Sequence, residues 1–396
     1  MKSYIVGGAV RDTLLGFPVQ DRDFVVVGSS PGEMLALGYL PVGKDFPVFL
    51  HPKTREEYAL ARTERKTAAG YKGFVFHTDT SVTLEEDLIR RDLTINAMAQ
   101  DDAGHIIDPF GGRQDLQNRV FRHVSEAFCE DPVRILRLAR FAARFAMPPT
   151  EFSVAEETNA LMQTMVAAGE VDALVAERVW QELSRGLMEV KPSRMLDVLH
   201  ACGALQRLLP ELAAWWQTAD GSDGNNGADS VDSADNAEPA RQLIDHAARC
   251  GLALAQRYAV LLQQLDDVKT VEAISQRLKV PVECRDLAVM TTREYQTILQ
   301  AQDLSAASVV DLLARNDAFR KPQRFLDLLQ TIACIFTVRK AQYDTAFPQA
   351  DLLGKAMQAA QQVNGGAIAS LHGSQPQQIP VAIREARIAA VAALLK

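Results

Sequence analysis

Two hydrophobic patterns divide this 396-residue chain. As far as about residue 125, short β-rich runs alternate with turn residues, which predicts strands. From Asp131 onward, apolar residues recur at intervals of three and four, as in amphipathic helices. We therefore expect an α+β fold, in which an α/β head with a small mixed sheet precedes an all-helical remainder. The strand runs are SYIVGG, DFVVVG, PVFLHP, EEYALAR and HIIDP, and the first helical runs are PVRILRLARFAARF, VAEETNALMQTMVAAG, AERVWQELSRGLM and PSRMLDVLHACGAL.

A polar segment, residues 217–240, interrupts the helical pattern. It is rich in Asp, Gly, Asn and Ser and cannot bury enough apolar surface to fold, which predicts a disordered linker. The expected parts are a head at 1–128, a helical neck at 129–216, this linker, and a helical body and tail at 241–396. The linker holds six acidic residues and no basic one, so without it the net charge of −8 falls to −2. The overall acidity therefore does not exclude a local basic surface for nucleic acid.

The composition argues against a membrane or secreted protein. No apolar run approaches the roughly 20 residues of a membrane-spanning helix, and the N-terminus lacks the apolar core and cleavage site of a signal peptide. The expected location is the cytoplasm, and the sequence does not indicate an oligomeric state. Five cysteines are scattered without a C-x-x-C pair, which predicts buried, reduced thiols rather than metal ligands or disulfides. They are Cys129, Cys202, Cys250, Cys284 and Cys334.

Two carboxylates stand at the mouth of the predicted second strand. Asp21 and Asp23 alternate along the chain, so on a strand they share a face, where they repel unless a cation lies between them. A lone D-x-D usually marks a turn or a helix cap. Here it follows Gly7 and Gly8, whose bare backbone can approach a triphosphate, and Arg11, which adds a positive charge. The combination favours nucleotidyl transfer with two metal ions, and Mg²⁺ suits oxygen ligands.

A second group of charges follows at Arg90, Arg91 and Asp92. Asp92 is placed to cap a helix that begins at Leu93. The two arginines are not explained by capping, because cations at a helix N-terminus oppose the macrodipole. They predict a contact with the phosphate or ribose of a nucleotide, with Asp92 at the same site.

Four arginines share one stripe of the helix predicted over 130–145. Such a stripe is either a solvated face or a surface that holds a triphosphate opposite the carboxylate pair. Leu136, Ala139 and Ala143 lie on another face and are expected to pack. The stripe consists of Arg134, Arg137, Arg140 and Arg144.

Asp131 and Arg134 suit the recognition of a base. Cytosine and adenine both present an exocyclic amine beside a ring nitrogen that accepts a hydrogen bond. An aspartate accepting from the amine and an arginine donating to the ring nitrogen fit both bases. Guanine and uracil present a carbonyl in place of the amine, which the carboxylate repels. Two side chains could therefore act as a protein template for C and A.

Together these motifs closely resemble the class II CCA-adding enzymes, the bacterial-type tRNA nucleotidyltransferases. The resemblance implies a polymerase-beta-like nucleotidyltransferase head, and a helical neck, body and tail that grip the acceptor arm and 3′ end of tRNA. It implies addition of C, C and A from CTP and ATP without a nucleic-acid template. It is strong as far as about residue 210 and weaker beyond. The motifs are GGAVRD, DRD, RRDLTINAMA, DPFGG, EDPVRILRLARFAARF and ERVWQEL, with ARTERKTAAGYKGF similar to the family's flexible catalytic loop.

The resemblance also implies roles for single residues. Asp21 and Asp23 would be catalytic and bind Mg²⁺, with Glu57 a candidate third carboxylate. Asp131 and Arg134 would read the base. The residues implied to contact CTP or ATP are Gly8, Arg11, Arg91, Arg137 and Arg140. Candidate tRNA contacts, equally compatible with a solvated basic patch, are Arg315, Arg320, Lys321 and Arg324.

One departure from the family concerns a second activity. Longer bacterial relatives carry a metal-dependent phosphohydrolase domain marked by an adjacent His-Asp pair. This chain has Gln263 and Gln264 where the pair would stand, which predicts that phosphatase and phosphodiesterase activity are absent. His246 follows Asp245 instead, and is expected to be a helix-surface or core residue rather than a metal ligand.

Three other functions compete with CCA addition. A poly(A) polymerase shares the head motifs, but the acidic chain lacks the basic extensions that such enzymes use to hold generic RNA. An A-adding relative would differ by residues of the flexible loop that the sequence does not separate. A non-catalytic tRNA-binding protein is less favoured, because a silent site has no need to keep Asp21 and Asp23 together.

Overall fold

The computed structural model describes residues 1–42, 48–66, 74–77, 79–146, 151–216, 237–340, 346–371 and 375–395. It divides into two compact units. The first comprises Met1–Gly186 and Arg194–Pro210, and the second comprises Leu187–Ser193 and Glu211–Lys396. Within the described ranges, none of the helices has the length and apolar character needed to cross a bilayer.

The first unit contains the strands. All five predicted strand runs form strands, so the predicted head with a mixed sheet is confirmed. The largest sheet among the described residues has seven strands in the order β3-β4-β5-β2-β1-β8-β9. The strands are β1 (Lys2–Val6), β2 (Asp23–Val27), β3 (Leu40–Val42), β4 (Val48–Leu50), β5 (Glu57–Leu60), β6 (Thr63–Lys66), β7 (Phe74–His77), β8 (Ala99–Gln100), β9 (Ile106–Ile107), β10 (Val120–Phe121) and β11 (Ser153–Val154).

The centre of the sheet explains why β2 is almost continuously apolar. Successive side chains of a strand point to opposite faces. Val25 packs into a cluster on one face with Val6 and Leu88, and Val26 packs into another cluster with Met34. A strand buried on both faces requires apolar residues at every interior position, so only its ends can present polar groups to solvent.

Long helices follow the strands, as the periodicity predicts. The four helical runs quoted from the sequence form α5 to α8. In chain order, the helices before the polar segment are α1 (Gly8–Leu14), α2 (Pro31–Ala36), α3 (Leu84–Leu88), α4 (Gly112–Asn118), α5 (Val133–Arg144), α6 (Glu156–Ala167), α7 (Ala176–Leu187), α8 (Ser193–Ala201), α9 (Ala204–Leu208) and α10 (Pro210–Ala213).

The second unit is helical throughout its described residues. Residues 217–236 of the predicted linker lie outside the described ranges, but 237–240 do not belong to a linker, because they form the first turn of a helix. The helices are α11 (Ala237–Arg249), α12 (Leu254–Leu262), α13 (Val268–Arg277), α14 (Val282–Leu299), α15 (Ala306–Arg315), α16 (Pro322–Arg339), α17 (Pro348–Gln361), α18 (Gly365–Leu371) and α19 (Ile379–Leu394).

The DPFGG motif forms the turn that starts α4. The Asp108 carboxylate accepts hydrogen bonds from the backbone N–H groups of Gly112 (2.7 Å) and Arg113 (2.8 Å). A Cβ on Gly112 would overlap the carbonyl oxygen of Thr94 and lie 2.9 Å from Met98 Cγ. Glycine is therefore required here so that α4 can pack against the backbone of the RRDLTINAMA segment.

We expect Gly112→Ala to lower the free energy of unfolding by about 2 kcal/mol, because the neighbouring backbone carbonyl cannot move aside as a flexible side chain would. Gly32→Ala is the matched control, since the nearest atom to its Cβ would be Ser30 Oγ at 4.0 Å. Its effect should stay within about 0.5 kcal/mol. Urea denaturation followed by circular dichroism measures both, and equal losses in the two variants would contradict the packing argument.

Candidate active site

Asp21 and Asp23 stand at one end of the sheet. The strand β2 begins at Asp23, so Asp21 lies in the preceding loop. The expectation from the sequence that both aspartates are on the strand is therefore wrong for Asp21. Both residues are exposed. Asp23 is opposite Val6 of the antiparallel neighbour β1 and opposite Glu57 of the parallel neighbour β5. Because residues in register share a face, Glu57 is placed beside the pair.

The charge balance at Asp23 is unfavourable for a carboxylate. Desolvation raises the pKa of Asp23 above its ordinary value, the charge of Arg91 lowers it, and the charge of Asp21 raises it further. The net direction is upward. Arg91 therefore does not fully compensate the two carboxylates, and a bound cation would stabilise their ionised forms.

Arg91 lies against the glycine pair. Gly7 adopts a φ of +68°, and a Cβ there would stand 3.0 Å from Nη1 of Arg91. The N–H of Gly7 donates to the carbonyl of Met98 at 3.1 Å, and α1 begins at Gly8. The absence of side chains at these two positions thus lets a guanidinium lie directly on the backbone.

A buried aspartate that the sequence argument missed holds the two neighbouring arginines. Asp87 is 1% exposed and accepts from Nη2 of Arg90 (2.9 Å) and Nη2 of Arg91 (3.2 Å). Arg90 also donates through Nε to the carbonyl of Arg62 at 3.0 Å. The structure thus explains Arg90 by these internal partners, without the phosphate predicted for it. Asp87 precedes Arg90 by three residues and Arg91 by four, and this spacing is the signal from which the two ion pairs could have been predicted.

Asp92 does not cap a helix that begins at Leu93. The local structure is a single 3₁₀ turn at Thr94–Asn96. The buried carboxylate of Asp92 accepts from the N–H of Leu93 (2.9 Å), from Nδ2 of Asn96 (3.0 Å) and from Nε of Arg137 (2.9 Å). Burial acts to raise the pKa of Asp92, but Arg137 and the hydrogen bonds prevail and hold it well below its ordinary value.

The same contacts continue through α1. Nη1 of Arg11 donates to Oδ1 of Asn96 at 2.6 Å, and its Nε donates to Asp12 at 2.8 Å. Asp12 in turn accepts from Nη2 of Arg144 at 3.0 Å. Arg11 is 3% exposed, and its guanidinium carbon lies 5.0 Å from the centre of the Phe141 ring. A charged network therefore joins α1, the 92–96 segment and α5.

The arginine stripe of α5 is not a solvated row of unpartnered cations. Arg134 donates to the carbonyl of Ala127 (2.9 Å), and Arg140 donates to Glu182 (2.7 Å). Arg137 and Arg144 hold the aspartates already described. The predicted packing of Leu136, Ala139 and Ala143 is confirmed, since each is at most 2% exposed. Arg137 has 39% of its side chain exposed, and Asp92 takes only part of its five N–H groups, so it retains donors for a ligand.

Two residues of the ERVWQEL motif hold Asp131, one of the pair predicted to read the base, and the helix α5. Arg178 donates to both carboxylate oxygens of Asp131, at 3.1 and 2.8 Å. Glu182, one helical turn further along α7, is 4% exposed and accepts from Arg140. The motif alone predicts a role for neither residue. A bidentate pair fixes the orientation of the Asp131 carboxylate.

The comparisons with known proteins agree over the whole chain. The family described as "Poly A polymerase head domain" matches residues 3–122, and the one described as "Probable RNA and SrmB- binding site of polymerase A" matches 151–215. The "Multifunctional CCA protein" of Herminiimonas arsenicoxydans is 59% identical over 99% of this chain and 98% of its own.

Solved structures show the same fold at lower identity. The Bacillus stearothermophilus CCA-adding enzyme in complex with CTP has a TM-score of 0.65 and 24% identity, over 99% of this chain and 89% of its own. The Thermotoga maritima CCA-adding enzyme complexed with tRNA has a TM-score of 0.62 and 21% identity, over 100% of this chain and 92% of its own. The predicted fold class, a head with a mixed sheet and a helical remainder, is thereby confirmed.

We expect Asp92→Asn to lower the free energy of unfolding by about 3 kcal/mol at pH 7, because it leaves Arg137 without its buried counter-charge. The pKa of Asp92 is lowered by folding, so its contribution is complete above the unfolded value and is lost as pH falls below about 4. Denaturant unfolding at several pH values should show that the difference in the free energy of unfolding between the variant and the unsubstituted chain becomes smaller on acidification. Asp102→Asn, at an exposed aspartate, is the control. A difference that is constant with pH would contradict the role assigned to Asp92.

Proposed function

We propose that Asp21 and Asp23 are the metal-binding catalytic pair of this chain, which belongs to the class II CCA-adding enzymes, the bacterial-type tRNA nucleotidyltransferases. Its reaction is the addition of C, C and A to the 3′ end of tRNA from CTP and ATP, with release of diphosphate. The observation that carries this function is the 59% identity, over nearly the full length of both chains, to a protein named for CCA. The cytoplasm, where tRNA is available, is the compartment that we propose.

The donor set at the pair fits a hard divalent cation, and we propose Mg²⁺. The two carboxylates offer oxygen ligands and an excess of negative charge, and the pKa of Asp23 is raised mainly by desolvation and further by the charge of Asp21. Glu57 lies in register with Asp23 on the neighbouring strand and is the third carboxylate that we propose. When bound, the ions would activate the tRNA hydroxyl and neutralise the leaving diphosphate.

The nucleotide would lie between the glycine pair and α5. Arg91 rests on Gly7, and Arg137 has exposed N–H groups, so both guanidiniums can donate to phosphate oxygens. We propose Gly8 as a point of close backbone approach. Arg11, Asp92 and Arg140 are held by internal partners, and they would act on the nucleotide mainly by fixing these groups and α5. The 3′ oxygen of tRNA then bonds to the α-phosphorus as the bond to diphosphate breaks.

Asp131 and Arg134 are the residues that we propose to read the base. Arg178 holds both oxygens of Asp131, and the carbonyl of Ala127 holds Nη1 of Arg134. Neither side chain has to be ordered when a nucleotide arrives, which preserves selectivity for C and A over U and G. The template is thus built from α5 and α7 together.

We propose that the helical neck, body and tail hold the acceptor arm of tRNA, in agreement with the RNA-binding family that matches residues 151–215. Of the four candidate basic residues, Arg315 is tied to the buried Glu294 at 2.6 Å, which favours a structural role. Arg320 has 83% of its side chain exposed, and Lys321 is also exposed. These two remain candidates for the phosphate contacts that a sequence-independent tRNA-binding protein needs.

A poly(A) polymerase is not favoured. The family that matches the head carries poly(A) polymerase in its description, but the match covers only residues 3–122. The relatives that match over the full length are named CCA protein. With tRNA that lacks its last three nucleotides and one labelled nucleotide at a time, the enzyme should add C, C and A and then stop. A long A tail would support the polymerase, A alone an A-adding relative, and no incorporation a non-catalytic binder.

In the same assay, Asp21→Asn and Asp23→Asn should each lower incorporation by about 1,000-fold or more, since each removes a negative charge that would hold the metal ions. Binding of tRNA and the unfolding midpoint should be unchanged. Glu57→Gln should lower the rate less strongly. Glu56→Gln is the control for Glu57→Gln, because it removes the carboxylate of the adjacent residue. Undiminished rates in Asp21→Asn and Asp23→Asn would refute the proposed pair.

For Asp131→Asn we expect the ratio of kcat/KM for CTP to that for UTP to fall by roughly 100-fold, because an amide can donate to the uracil carbonyl that the carboxylate repels. Separate steady-state measurements with the four nucleotides give this ratio. Glu130→Gln changes the neighbouring charge and should leave selectivity as it is. A uniform loss for all four nucleotides would argue for a structural role of Asp131 alone.

A further inference from the structure

Three potential metal ligands meet in the second unit, which contains neither of the aspartates proposed as the catalytic pair. His246 lies in the last turn of α11, and Cys250 is the residue that directly follows this helix. The N–H of Cys250 donates to the carbonyl of His246 at 2.9 Å, so the helical spacing of four residues continues and places the two side chains on one side. Cys334 comes from α16, which packs against α11. Nε2 of His246, Sγ of Cys250 and Sγ of Cys334 all lie within 4.8 Å of one another.

The spacing matches a tetrahedral zinc ion. Zn–S and Zn–N bonds of about 2.3 and 2.0 Å require S···N separations of about 3.5 Å and S···S separations of about 3.8 Å. Sγ of Cys250 lies 3.4 Å from Nε2 of His246. Sγ of Cys334 lies within 4.8 Å of both other donor atoms. Small side-chain rotations therefore suffice to bring all three donors onto one ion.

The accessibility of the three groups also suits a site that is loaded from solvent. Cys334 is buried at 7% exposure, His246 is half-buried and Cys250 is exposed. This differs from the sequence expectation that all five cysteines are buried, because Cys250, just after α11, is exposed and Cys129 is only half-buried. One ligand is thus held by the core, and another can receive an ion from water.

The charges around the cluster are compatible with a neutral imidazole ligand. Burial lowers the pKa of His246, and the charge of Arg249 lowers it further. Arg249 also favours the ionised form of Cys334, although burial prevails and raises the pKa of that thiol to about 12. On binding, each thiol would give up its proton to solvent, so two thiolates would balance the charge of a divalent ion.

We propose that His246, Cys250 and Cys334 form a zinc site with three protein ligands. The site ties α11 to α16, and so fixes the first described helix after residues 217–236 to the interior of the second unit. Soft thiolates with imidazole select zinc over the hard cation proposed for Asp21 and Asp23. The fourth position of the ion is left to water or another ligand. Its binding of zinc is independent of nucleotidyl transfer.

The test is zinc titration of the full chain, kept reduced and in excess Mg²⁺ so that the carboxylate site is occupied. We expect one tightly bound zinc per chain, a higher unfolding midpoint, and a cobalt-substituted form with thiolate-to-cobalt charge-transfer absorption. His246→Gln and Cys250→Ser should each lower zinc affinity at least 10-fold, the loss typical when an interaction at a metal site is removed. Both positions are at least partly exposed, so these variants should fold.

Cys284→Ser is the matched control, because Cys284 is a buried cysteine outside the cluster. It should keep zinc binding and the cobalt spectrum, even if the hydroxyl lowers stability. Unchanged affinity in both His246→Gln and Cys250→Ser, or no zinc bound by the reduced chain, would overturn the proposal. CCA addition serves only to show that each variant is folded, so failure of the zinc site and failure of the proposed catalytic pair are distinguishable.

Discussion

A network of buried and half-buried charges joins α1, the 92–96 segment and α5, and the geometry of the candidate site depends on it. Asp92 holds Arg137 and Asn96, and Asn96 holds Arg11. Asp12 then connects Arg11 with Arg144 on the same helix as Arg137. Because each charge needs its partner once it is removed from water, the set can form only when the three segments are in place.

Buried ion pairs contribute little net stability, but they restrict the arrangements that a core can adopt. In this chain they hold α5 beside the glycine pair and Arg91. A second pair of contacts, from Arg178 to Asp131 and from Glu182 to Arg140, fixes the same helix from the side of α7. Most guanidiniums of the candidate site thus bind protein groups and hold α5 in place. A few exposed N–H donors are left for the nucleotide contacts that we propose.

Much of the candidate site could be found from the sequence because its signals are local. Gly7 and Gly8 stand close to Asp21 and Asp23 along the chain, and the strand between Asp23 and Val27 is apolar at every interior position. The sequence was less informative about charge. It left the stripe of α5 as either a solvated face or a phosphate-binding surface, and it left Arg90 to a ligand, because the protein groups that hold these arginines were not considered as partners.

The sequence by itself determined five of the strands, the long helices that follow them, the placement of two carboxylates at a strand mouth and the family to which the chain belongs. These follow from side-chain periodicity and from motifs that span a few residues. Only the tertiary structure decided which acid serves which arginine. Asp92 and Arg137 are 45 residues apart, and Asp12 and Arg144 are 132 apart. It likewise brought Cys334 to His246 and Cys250, since helix packing, and not chain distance, sets such contacts.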